Sequence, residues 1–174
     1  QGIHGEALID LFGPLGAVES SEGHGEIALG LAREALAERI ATWGADDPRV
    51  GIGYNDVASA LEGLERYDEA IGMWRKTWQF ELAHFGPSSN ESTLALAGWA
   101  SSAYRAGHWT QAHMLFARAL AMYARNGGRP QLTQVYAAQK ACVLEGLRAD
   151  RASAQARCGQ AQAWSAGGFG ADSA

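Results

Sequence analysis

The sequence predicts an all-α fold, an α-solenoid of about four antiparallel helix pairs, and three observations carry that prediction. The first is an internal period of 42 residues: Ala28, Ala70, Ala112 and Ala154 recur at that step, as do Gly44, Gly86 and Gly128. In the same register Trp43 matches Phe85, Tyr67 matches Trp109, Trp74 matches Phe116, and Leu36 matches Trp78 and Leu120. The second is the spacing of large apolar residues inside each period, which follows the three-and-four rhythm of one helix face. The third is composition, with 34 Ala and 22 Gly among 174 residues. So many alanines beside few β-branched residues favour helices over strands.

Taken in chain order, Ala7 to Val18 reads as the first helix of a degenerate opening repeat, although Pro14 and Gly16 lie inside it. The second helix runs from Glu26, whose charge suits a first turn, to Trp43, and ends at Gly44 with Pro48 beyond. A shorter helix over 52–64 carries Tyr54, Val57 and Leu61. From Asp68 to Phe85 the stripe Ile71, Trp74, Trp78, Leu82 predicts the next helix, closed by Gly86-Pro87. The pattern repeats over 93–106, with Leu96, Trp99 and Ala103, and from Thr110 to Asn126, closed by Gly127-Gly128 with Pro130 beyond. Asp68 and Thr110 are expected as N-caps. Ala58 and Ala100 fall where a neighbouring helix approaches closely. A helix over 132–147 follows. The last helix, after Ala152, is rich in Ala and Gln and is expected to fray into Ala166-Gly167-Gly168-Phe169-Gly170. The repeats therefore occupy about 8–44, 50–86, 92–128 and 132–165 of a single domain over 1–165, with a Gly-rich tail at 166–174.

Composition excludes several functions. A chain of this length removes about 70% of its unfolded surface from water, enough for a core. With 47% hydrophobic and 19% charged residues it is not a disordered chain. No run approaches the ~18 apolar residues of a membrane span. A net charge of −5 argues against a simple nucleic-acid binder. The charge is uneven: residues 1–91 hold 16 acids and 6 bases, residues 92–174 hold 3 acids and 8 bases. Association through these acidic and basic halves is one consequence to test. The chain starts at Gln1 rather than Met, which reads as a processed or excised piece, in the cytoplasm or exported.

No catalytic constellation is visible. His108 and His113 are five apart and lie on different helix faces, so they form no two-His metal helix. His4, His24 and His84 read as surface or junction residues. Gly51-Ile52-Gly53 follows no strand and lacks a third glycine, so it reads as a helix start rather than a dinucleotide loop. Cys142 and Cys158 are 16 apart, on the two helices of the fourth pair; they are either small buried hydrophobes or a hairpin disulfide. Trp43, Trp74, Trp78, Trp99 and Trp109 fall at core or junction positions, and Trp164 has no assigned role. Neither cofactor nor metal is expected, and the chain is not expected to be an enzyme.

The motifs Tyr67-Asp68-Glu69-Ala70, Gly107-His108-Trp109-Thr110-Gln111-Ala112 and Gly44-Ala45-Asp46-Asp47-Pro48, with small Ala58 and Ala100, resemble the tetratricopeptide repeat (TPR) in its 42-residue kinesin-light-chain-like variant. The likeness covers roughly residues 8–164 and is closest in the second and third repeats; Arg151 replaces the usual aromatic in the fourth, and Gly146 breaks its first helix early. It implies a right-handed superhelix whose first helices line a concave groove, and a non-catalytic protein-interaction module or scaffold binding a partner peptide segment. The alternatives are a regulatory sensor domain of a longer chain that responds to a peptide or small ligand, and an enzyme on a helical scaffold. The expected groove residues lie one step off the packed stripe: Ile52, Asn55, Ser59 and Glu62; Leu94, Ala97, Ser101, Tyr104 and Arg105; and Tyr136, Gln139 and Val143. Asn55 and Gln139 offer both donor and acceptor to a peptide backbone, and Tyr104 and Tyr136 offer stiff contact area. The clamp that holds chaperone C-terminal carboxylates is not expected, because the matching places carry Asn55, Ser59, Ala97, Ser101 and Gln139 and no lysine.

Overall fold

The computed structural model describes residues 6–126, 132–147 and 151–168. All regular structure among them is helical: α1 (Glu6–Ser21), α2 (Gly25–Trp43), α3 (Val50–Gly63), α4 (Tyr67–Phe85), α5 (Asn90–Arg105), α6 (Trp109–Asn126), α7 (Leu132–Leu147) and α8 (Arg151–Gly168). The chain forms two compact units, Gln1–His84 and Phe85–Ala174, and each is described by itself. No described helix is long and apolar enough to cross a membrane.

The period reappears in the hydrogen bonds. His24, Arg66 and His108, each 42 residues apart, donate their backbone N–H to the carbonyls of Glu19, Leu61 and Ala103, five residues back. These are the six-to-one bonds of a Schellman end, which caps the first helix of each pair. The same three residues accept from Ala28, Ala70 and Ala112, opening the second helix. The turn needs a left-handed residue just before the capping bond, and Gly23 (φ 86°), Glu65 (φ 58°) and Gly107 (φ 81°) supply it. Of these three, Glu65 alone bears a side chain, at a cost of roughly 1 kcal/mol. Gly107→Ala is expected to destabilise by about 1 kcal/mol and Glu65→Gly to stabilise by less than that, since glycine also loosens the unfolded chain. Opposite signs in urea denaturation would confirm the shared turn.

In the first unit α1 packs on α2 and α2 on α3. Tyr54 near the start of α3 meets Phe80 near the end of α4 at 5.4 Å, so that pair is antiparallel. The core consists of Leu29, Ala35, Val50, Val57, Ala58, Leu61, Ala70 and Trp74. Gly51-Ile52-Gly53 lies in the first turn of α3. A Cβ on Gly53 would stand 2.8 Å from Leu36 Cδ1 and 3.1 Å from Leu36 Cα, so glycine here sets how closely α2 and α3 meet. Two expectations shift by a residue. Helices α4 and α6 begin at Tyr67 and Trp109, which places Asp68 and Thr110 inside the first turn rather than at the cap. Helix α4 buries Ala70, Trp74, Thr77 and Glu81, leaving Ile71, Trp78 and Leu82 half-buried.

The α2–α3 turn is held by side chains. Arg49 donates from Nε and Nη2 to the two Asp47 oxygens at 2.8 Å each, and its guanidinium lies 4.0 Å from the Trp43 ring centroid. Hydrogen bonds from Arg49 bring the Asp47 carboxyl down to about 2. His84 on α4 stacks on Phe80 at 4.2 Å, and its ring nitrogens face the carbonyls of Phe80 and Asp46, each at 2.9 Å. A neutral imidazole has one N–H, so only the imidazolium donates to both carbonyls. These contacts, the Phe80 carbonyl first, raise the His84 pKa. The stabilisation is therefore complete below the unfolded value near 6.5 and is lost as pH rises through the higher folded value. Amide exchange in the 46–49 turn is expected to accelerate over that rise beyond its intrinsic pH dependence. In His84→Gln that excess should vanish.

In the second unit α5 packs on α6, α6 on α7 and α7 on α8. Ser89 caps α5, accepting from the Ser92 N–H at 3.0 Å. Leu96, Ala100, Phe116, Ala119, Leu120, Ala137, Ala138 and Leu144 form the core, and Ala58 and Ala100 are both fully enclosed, as expected of the close-approach positions. Cys142 and Cys158 form a disulfide with Cα atoms 5.1 Å apart, which decides between the two readings of this pair. Helix α7 passes through Gly146, and α8 continues to Gly168 rather than fraying at Ala166, because Gly in a helix weakens it without ending it. The stop at Gly127-Gly128, Pro130, residues 169–174 and the side chains of Arg151 and Trp164 lie outside the described residues.

Candidate functional site

Helices α5 and α7 begin successive pairs of the second unit and touch each other in front of α6. Tyr136, Gln139, Lys140 and Val143 recur on α7 at three- and four-residue steps and so share a face. Lys140 reaches across to α5: its ammonium stands 4.9 Å from the Tyr104 ring centroid and 5.1 Å from that of Tyr136. One cation thus links two rings on two helices, each contact worth about 0.5–1 kcal/mol at such exposure. Both tyrosines are oriented from behind, Tyr104 edge-on to Trp109 at 5.3 Å and Tyr136 edge-on to Phe116 at 6.3 Å. They are half-buried, with stiff, preset rings.

Around this cluster Leu94, Arg105, Gln139 and Val143 are exposed and Ser101 is half-buried. Ala97 is a correction: it is 8% exposed and belongs to the core, because α5 packs against both α6 and α7. As the first residue of α6, Trp109 is 52% exposed and supports Tyr104 edge-on. Lys140 was missed by sequence reasoning, which sought lysine only at clamp positions. A signal existed, since Lys140 lies four residues after Tyr136 and is one of two lysines in the chain.

The remaining expected residues, Ile52, Asn55, Ser59 and Glu62, are on α3 of the first unit. Ile52 and Ser59 are exposed; Asn55 and Glu62 are half-buried. Ser59 edges a cleft of about 220 Å³ between α1 and α3, floored by α2. Asp56 lines the same cleft, and burial raises its pKa while Arg39 pulls the other way.

Other polar groups are structural in arrangement. Buried Glu145 on α7 stands 3.4 Å from His113 Nε2 and 3.6 Å from Arg157 Nε, tying α7 to α6 and α8. Among the described residues, one trio could converge on a metal ion: Glu19, Glu22 and His24, at the surface of the α1–α2 turn.

No protein-family model matches the sequence, and no curated protein matches it. Solved structures do. BtubC (BKLC) from P. vanneervenii superposes with a TM-score of 0.80 at 16% identity, covering 91% of this chain and 63% of that one. A putative kinesin light chain of P. anserina with nearly identical TPR-like repeats gives 0.80 at 14% identity, covering 96% and 80%. The apo form of RapI gives 0.75 at 10% identity, covering 90% and 42%. The chain spans less than two thirds of BtubC and less than half of RapI. Together with the 42-residue turn geometry, these likenesses show a TPR-like helical-repeat fold.

Proposed function

We propose that this TPR-like chain is a non-catalytic interaction module that binds a segment of a partner protein across the α5–α7 face. The Tyr104–Lys140–Tyr136 cluster carries the reading. Two preoriented aromatic rings offer contact area at low entropic cost, which is the usual makeup of a binding hot spot. Gln139 and Ser101 supply polar groups for a peptide backbone, and Leu94 and Val143 supply apolar margins. The second unit carries 8 basic and 4 acidic residues, so a segment with acidic side chains suits this face.

The test compares wild type with Tyr104→Ala/Tyr136→Ala and with Lys140→Glu in affinity capture from the source cells, with folding checked by circular dichroism. A partner retained by wild type is expected to be lost from the folded double variant and weakened at least tenfold by Lys140→Glu, a loss of about 1.4 kcal/mol. Retention of the same partner by both folded variants would remove this face from the interface.

A further inference from the structure

We propose that the cleft between α1 and α3 is a docking pocket for a lysine side chain presented by a partner segment. It deepens the interaction-module reading and rests on it, but it concerns the first unit, away from the tyrosine cluster in sequence and in test. The cleft has a volume of about 220 Å³. That is below the roughly 300–1,000 Å³ of pockets for drug-sized ligands, and it suits one side chain. Phe12 and Gly16 of α1 and Ala32 and Ala35 of α2 make apolar walls. Such walls suit an aliphatic stem whose charged end must still meet a polar partner.

That partner is Asp56, the one charged residue lining the cleft among the described residues. Arg39, 8% exposed, approaches it through Nη2 at 3.8 Å from Oδ2, beyond hydrogen-bond distance. The Asp56 carboxylate is half-buried, this long ion pair is its one charged contact among the described residues, and burial lifts its pKa. A cation seated beside Oδ1 would complete the pair, and the Ser59 hydroxyl on the next turn of α3 offers a second acceptor. Lysine fits better than arginine. Its four-carbon stem lies along the apolar walls, and its compact ammonium seats beside one carboxylate oxygen without the in-plane, two-oxygen approach that a guanidinium fork requires. The surrounding field agrees: residues 1–84 hold 15 acids and 6 bases.

The experiment is a titration of the ¹⁵N-labelled full chain with Nα-acetyl-lysine methylamide, with the norleucine analogue as the uncharged isostere. Saturable amide shifts are expected at Ala32, Ser59 and Ala60. The norleucine probe should bind about tenfold more weakly or worse. Asp56→Asn should abolish the difference between probes, and Ala32→Leu, which fills the cleft, should abolish binding of both; the second variant decides if the first fails to fold. Equal binding of the two probes, shifts unchanged in Ala32→Leu, or no saturable shift at these amides would overturn the proposal. The probe is read in the first unit, so failure here leaves the α5–α7 test standing, and loss of capture through Tyr104 and Tyr136 leaves this titration unaffected.

Discussion

Replacing Phe116 with Ala is expected to lower the stability of the second unit by about 3–5 kcal/mol, a large part of a domain's total. Phe116 is the largest fully buried side chain among the described residues, at 0% exposure, and it packs beneath Tyr136. Truncation removes its transfer free energy and leaves a cavity whose walls are rigid helices joined by short turns, so little of the space can collapse. It also removes the edge-on support of Tyr136. Partner binding through α7 should therefore weaken in Phe116→Ala under conditions where the variant is still folded. Urea denaturation checks the first effect. A loss below about 1 kcal/mol would mean that the α5–α6–α7 core is looser than described.

The second large effect concerns the Cys142–Cys158 bond between α7 and α8. It closes a loop of 16 residues, which in the chain-entropy account is worth about 3 kcal/mol. Cys142→Ser/Cys158→Ser, or reduction of the wild type, is expected to cost about that much, with α8 affected first. The reason lies in α8 itself. Its mean apolar content is low, and of its described side chains only Ala161 is fully buried. The covalent link and the Glu145–Arg157 pair at 3.6 Å stand in for a hydrophobic stripe. Hydrogen exchange would show it directly: α8 amides should exchange much faster after reduction, while those of α5 hold. Unchanged exchange in α8 would assign its stability to packing instead.

Most of the fold was legible because the repeat is written in residues whose physics is local. Gly44, Gly86 and Gly107 are left-handed at helix ends, and Ala70 and Ala112 sit where only a small side chain fits between helices. Those features survive in a linear reading. What was not legible depends on neighbours distant in sequence. The turn residue Glu65 occupies a glycine position without looking like one. Helix α4 is rotated by about one residue from its apparent stripe, since Glu81 and Thr77 are buried in place of Leu82 and Trp78. The sequence left Cys142 and Cys158 open between two small buried hydrophobes and a disulfide, and the packing of α7 on α8 decides for the disulfide.

The candidate site divides in the same way. Tyr104, Tyr136, Gln139 and Val143 were found by asking which helix positions lie off the packed stripe, a question the period answers. Lys140 and Asp56 were not, because their meaning comes from what they meet: two tyrosine rings in one case, an apolar cleft with an arginine 3.8 Å away in the other.

The proposed interface places a partner segment on the α5–α7 face. Site-specific photo-crosslinking in the source cells tests it most directly, with the reactive residue placed at exposed Gln139 on α7 or at exposed Met114 on α6. An adduct with one defined polypeptide is expected at Gln139, none at Met114, and loss of the Gln139 adduct when Lys140→Glu is added. Adducts of equal yield at both positions, or at Met114 alone, would contradict it.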